Sequence, residues 1–135
     1  MRFLHGYIEK LTDLGIEAGS VDLIISNCVV NLSVDKERVL QQLYTVMAQG
    51  GEFQFSDVFS DVVLPDNVRT DKVLVGECLG GAMEINQFVE LAEKTGFAPP
   101  LMVSKKGIDI HDPDIRKLVG EHTNFYSITY RLFKK

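Results

Sequence analysis

The sequence predicts an α/β domain built on a mixed sheet, largely parallel, with an antiparallel pair at one edge. Three observations predict it. The run Val21-Asp22-Leu23-Ile24-Ile25 is short and apolar and stops at Ser26, Asn27 and Cys28. Such a run is the pattern of a strand buried on both faces, as in parallel sheets. A helical repeat then leads through Gly50-Gly51 into an alternating stretch at 52–58, which makes a strand–helix–strand unit with a right-handed crossover. The last stretch, Phe125–Phe133, alternates with Tyr126, Ile128, Tyr130 and Leu132 on one face. Following a helix at the end of the chain, it supplies the antiparallel edge.

The elements follow in order. Residues 1–6 read as a short strand ending at Gly6. Residues 6–20 read as a loop with one weak helical turn, broken by Gly15 and Gly19. After the strand at 21–25, Asp35 is placed to cap a helix, its carboxylate accepting from the first amides that lack an intrahelical partner. Val39, Leu40, Leu43, Val46 and Met47 recur on one face of that helix, and Gly50-Gly51 is expected to end it. Between residues 59 and 81 the pattern loosens. Leu64-Pro65 breaks any regular element, and Val68, Val73 and Leu74 suggest a modest helix entering Gly76-Glu77-Cys78-Leu79-Gly80-Gly81. Little side-chain bulk surrounds a thiol in such a bend, so a ligand can approach it closely; a plain connector between helices is the other reading of this stretch, and the one the residues favour by themselves. Ile85, Phe88, Val89 and Ala92 form another amphipathic helix closed by Gly96. Residues 101–104 form a strand, and Asp112-Pro113 opens the last helix with proline at its first position.

Composition bounds the function. One domain accommodates 135 residues with a real core. A net charge of −5 argues against nucleic acid as the main partner. No apolar run reaches membrane-spanning length and no signal-peptide pattern opens the chain, so a cytoplasmic location is expected. The two cysteines, Cys28 and Cys78, are too few for a disulfide framework, and the scattered His5, His111 and His122 make no zinc pattern. Ligands of parallel sheets sit beyond the carboxyl ends of strands, where Ser26, Asn27 and Cys28 fall. From this segment alone Cys28 reads first as a small buried hydrophobe at the end of a core strand, and second as a ligand-facing thiol. No glycine-rich dinucleotide or phosphate fingerprint is present.

Taken together, Gly6-Tyr7-Ile8-Glu9, Ser26-Asn27-Cys28-Val29-Val30-Asn31-Leu32, Gly50-Gly51-Glu52, Phe55-Ser56-Asp57-Val58, Gly76-Glu77-Cys78-Leu79-Gly80-Gly81-Ala82 and the tail Tyr130-Arg131-Leu132-Phe133-Lys134 resemble arsenite methyltransferases. The resemblance runs nearly the length of the chain and implies an incomplete class I methyltransferase sheet of the Rossmann-like kind. It implies S-adenosylmethionine as cofactor, with Gly6, Tyr7, Ile8 and Glu9 along the adenine pocket and Ser26 and Asn27 near the methionine part. It implies Cys28 and Cys78 as ligands of trivalent arsenic or its thiol conjugates, and hence as the residues that carry the catalysis. The first strands, the glycine-rich cofactor loop and a further family cysteine have no counterpart here. The expectation is therefore a single unit, the C-terminal part of a methyltransferase domain. That unit is expected to bind cofactor weakly or not at all and to be inactive alone. It should pair with a missing N-terminal half or with a second copy. Two alternatives stay open: a methyltransferase for another small molecule such as a quinone precursor, and a non-catalytic module for arsenic or another soft metal.

Overall fold

The structure is a computed structural model that describes residues 3–33, 35–65, 79, 81–120 and 122–135. Its strands are β1 (Val21–Asn27), β2 (Met47–Ser60), β3 (Met83–Glu84), β4 (Leu101–Ile108) and β5 (Phe125–Phe133). Its α-helices are α1 (Lys36–Val46), α2 (Ile85–Thr95) and α3 (Pro113–Val119), and short 3-10 segments cover Ile8–Leu14 and Val30–Leu32.

The sheet runs β1-β2-β5-β4, with β3 on β2. β1 and β3 pair with β2 in parallel, while β2–β5 and β4–β5 are antiparallel. The mixed sheet with its antiparallel edge is the one the sequence predicts. Alternation along β2 puts Phe53, Phe55 and Phe59 on the face covered by α1 and α2, where they join Val39, Leu40, Leu43, Phe88, Ala92, Ile128, Tyr130 and Leu132 in one core. Phe55 stacks on Phe53 at 4.7 Å between ring centroids. A smaller cluster of Val58, Leu64, Leu79, Ala82, Ile115, Val119 and Phe125 packs beneath α3.

The caps read from sequence are present. Asp35 accepts from the Arg38 amide, and Asp112 accepts from the Asp114 amide with Pro113 at the helix start. Gly96 closes α2 at φ 127°.

Four expectations are corrected. Residues 3–7 form no strand; the segment after them is the 3-10 turn, tied to α1 by Arg38 Nε donating to the Glu9 carbonyl and by Gln42 accepting from Thr12. The glycine pair does not end α1. The helix stops at Val46 because Met47 turns extended and pairs with Val21, while Lys134 Nζ donates to the Tyr44 and Met47 carbonyls at 2.8 Å each. A lysine reaching the last carbonyls stabilises a helix end as a glycine would. Gly50-Gly51 instead lies in the register shift between Val21 and Leu23, with Gly50 at φ 79° and Gly51 against the Asp22 carbonyl. β2 and β4 are also longer than the alternation suggests, beginning at Met47 and ending at Ile108 respectively. Finally, β1 is an edge strand rather than one buried on both faces: Leu23 is 54% and Ile25 72% exposed. The helix expected around Val68, Val73 and Leu74 lies outside the described residues.

Candidate functional site

The site is assembled at the carboxyl end of β1. Ile24 faces the core; Asn27, exposed, ends the strand, and Cys28, half-buried, carries the chain out of the sheet. Cys28 stands at φ 58°, a left-handed conformation that a residue with a Cβ seldom adopts. Its amide donates to the Ser56 carbonyl at 2.9 Å, so the reversal is anchored to β2. The Val30–Leu32 turn follows at once, with Val30 and Asn31 buried.

That turn rests on Asp57. The Asn31 amide donates to Asp57 Oδ2 and the Val58 amide to Asp57 Oδ1, each at 3.1 Å. Asn31 Nδ2 donates to the Val58 carbonyl at 2.7 Å, and Lys36 Nζ donates to the Ser33 carbonyl at 2.8 Å. Asp57 is 1% exposed. Burial pushes its carboxyl above the ordinary carboxylate value, against the pull of the amide hydrogen bonds and of the Lys36 charge.

The second arm of the site is placed by β3. β5 pairs along one side of β2 as far as Ser60, so β3, paired at Phe59 and Ser60, lies on the other side. That is the side of β1, just past the point where Asn27 pairs with Ser56. The residues leading into β3 therefore meet the Cys28 turn. Gly81 packs directly on the Asn31 backbone, so closely that a Cβ at Gly81 would overlap the Asn31 carbonyl oxygen. Cys78 lies outside the described residues, and its expected place beside Cys28 is taken up below as a proposal. A cavity of about 280 Å³ opens beside this junction, lined by the first turn of α1, by Val63 and Leu64, and by the Gly81–Gln87 stretch.

The residues expected to face a cofactor are less enclosed. Tyr7 is 69% exposed, Gly6 is exposed, and Ile8 and Glu9 are half-buried, with Ile8 against the core. Ser26 Oγ is buried with no hydrogen-bond partner among the described residues, whereas Asn27 is exposed. One orphan hydroxyl fits a polar ligand group, but the set forms an open wall and not an enclosing pocket. Among the described residues no cluster of three or more His, Cys, Asp or Glu could hold a metal ion. No helix there is long and apolar enough to cross a membrane.

Asp57, Asn31 and Gly81 were not singled out from sequence. Asp57 did carry a signal: it sits on the apolar parity of its strand, with Phe53, Phe55 and Phe59, where a carboxylate requires a buried partner.

A strand, crossover helix and parallel strand with a polar turn at the carboxyl end, closed by an antiparallel edge, define a class I methyltransferase fold. The chain belongs to the methyltransferase-domain family, whose model matches residues 1–96. Among the relatives it matches are arsenite methyltransferases. It is 48% identical over 132 residues to the arsenite methyltransferase of Homo sapiens, covering 98% of this chain and 35% of that protein. It is 50% identical over 132 residues to the arsenite methyltransferase of Aquipseudomonas alcaligenes, covering 98% and 38%. The crystal structure of an arsenic (III) S-adenosylmethionine methyltransferase from Chlamydomonas reinhardtii superposes with a TM-score of 0.91 at 53% identity, covering 99% of this chain and 44% of that one. The chain spans just over a third of the length of the curated relatives it matches.

Proposed function

We propose that this chain carries the thiol side of an arsenite methyltransferase-type site, in which Cys28 and Cys78 capture trivalent arsenic or its thiol conjugates for S-adenosylmethionine-dependent methylation. One observation carries the reading: β3 continues the β1 side of the sheet, and Gly81 rests on Asn31. Each cysteine stands three residues before one of these contacting residues. A chain spans at most roughly 3.3–3.6 Å per residue, and this short reach supports the proposal that the two thiols share one end of the sheet.

Trivalent arsenic is a soft centre and prefers soft thiolates, as soft metal ions do. Two thiolates hold it while leaving a coordination position for a third thiol or water. No general base is required once the thiolates have formed. When bound, S-adenosylmethionine supplies an electrophilic methyl group. Gly6, Tyr7, Ile8, Glu9, Ser26 and Asn27 are the residues proposed to face it. Small ligands bind well when most of their surface is buried. The exposure of Tyr7 and Asn27 therefore supports weak cofactor binding by this chain alone and favours arsenic capture as its own property. Working thiolates need a reducing compartment, which supports a cytoplasmic location.

Calorimetric titration of the reduced chain with arsenite tests the reading. Cys28→Ser and Cys78→Ser should each weaken binding at least about tenfold, about 1.4 kcal/mol, and to a similar extent. Binding indifferent to either cysteine would overturn it in favour of a methyltransferase for another small molecule.

A further inference from the structure

The left-handed backbone at Cys28 is a strained position, and strain of this kind persists only where the surroundings enforce it. Directly behind Cys28 the turn is held by Asp57. It is the one fully buried carboxylate among the described residues. Its two oxygens take the amides of Asn31 and Val58, and the Val30 amide bonds to it as well. A carboxylate is suited to this task because both of its oxygens accept and neither donates, whereas an amide or hydroxyl offers one accepting oxygen. Burying it opposes folding, since an ionised carboxylate loses its hydration. The amides and the Lys36 charge offset that loss in part.

We infer that Asp57 is a positioning residue for the Cys28 thiol: by clamping the amides of the turn directly behind Cys28, it fixes the backbone that presents the thiol at the carboxyl end of β1. The inference rests on the arsenic-capture reading and adds the residue that orients one of its ligands. Asp57 touches neither arsenic nor cofactor in this arrangement. Its effect passes through Val30 and Asn31, with Cys28 held on its other side by the Ser56 carbonyl.

The test compares arsenite affinity, measured by calorimetry on the reduced chain, across four substitutions. Asp57→Asn keeps the shape but turns one acceptor into a donor facing an amide, and should weaken arsenite binding about tenfold. Phe97→Leu lies at the far end of the sheet, where residue 97 bridges to Lys134. It should lower the melting temperature while leaving arsenite affinity unchanged, so a loss shared equally by both variants would mark Asp57 as merely structural and overturn the proposal. If Asp57→Asn does not fold, Asn31→Ala decides, because it removes the Nδ2 bond to Val58 from the same turn. A loss of arsenite affinity of several-fold is expected there, and unchanged affinity overturns the proposal. Cys28→Ser separates the two levels. Full arsenite binding by that variant would remove the capture reading itself, whereas lost binding there with unchanged binding in Asp57→Asn would remove only the role of Asp57.

Discussion

Asp57 brings stability and site geometry together in one residue. Because burial raises its folded-state pKa above the unfolded value, the folded chain holds the proton over a pH range where the unfolded chain has released it. Stability from this group is therefore greatest at low pH, and it declines as pH rises from the ordinary carboxylate value of 3.8 through the raised folded value. Asp57→Asn cannot titrate. The difference in unfolding free energy between the unsubstituted chain and Asp57→Asn should accordingly shift against the unsubstituted chain as pH rises through that window. Urea unfolding at a series of pH values would show this, and a flat difference would mean that the carboxylate is solvated. Gly81 acts at the same scale by having no side chain. Gly81→Ala should force the residues before β3 away from Asn31 at a stability loss of roughly 1–3 kcal/mol, with arsenite affinity falling alongside. Thermal melts and arsenite titration together check it.

Among the elements, α1 depends on the far end of the chain. Its last carbonyls are held by Lys134, whose ammonium also lies 4.5 Å from the centre of the Tyr44 ring. The Gly50 amide donates to the Lys134 carbonyl and the Lys134 amide to the Gly51 carbonyl. The helix, the irregular start of β2 and the last strand thus share a single junction. Replacing Lys134 by Met keeps the stem and removes the charged donors. The expected loss is about 1.5–3 kcal/mol, the range for hydrogen bonds to a charged group, seen as a lower denaturant midpoint. Truncating the chain before Lys134 should cost more, because the backbone bonds to Gly50 and Gly51 go as well.

For the molecule as a whole, both edge strands of the sheet, β1 and β4, are exposed. Leu23 and Ile25 project from the face away from α1 and α2, beside Glu52 and Gln54 of β2. An unpaired edge strand with apolar side chains invites pairing with another chain; β4, at the opposite edge, also exposes Leu101, Met102 and Val103 but carries Lys105 and Lys106, which discourage pairing. The chain alone is therefore expected to self-associate through β1. Light scattering should show a mass that grows with concentration, and Ile25→Lys should return it to the monomer. A concentration-independent monomer for the unsubstituted chain would refute this.

The alternation in β2 and β5, the caps at Asp35, Asp112 and Gly96, and the position of Cys28 at a strand end are local patterns. Periodicity and side-chain chemistry within a few residues dictate them, so the sequence by itself determined the fold class and where a thiol site could form. Tertiary structure decided what depends on partners distant in the chain. Gly50-Gly51 looks like a helix end, but α1 stops earlier because Lys134, far along the chain, takes its carbonyls and Met47 finds Val21. The run from Val21 to Ile25 looks like a strand buried on both faces, but burial on either side is set by what packs there, and β1 lies at an edge. Asp57 looks like a polar residue out of register until Asn31 and Val58 supply its donors. Hydrogen-bond satisfaction of a buried charge is settled only when the fold brings those amides to it.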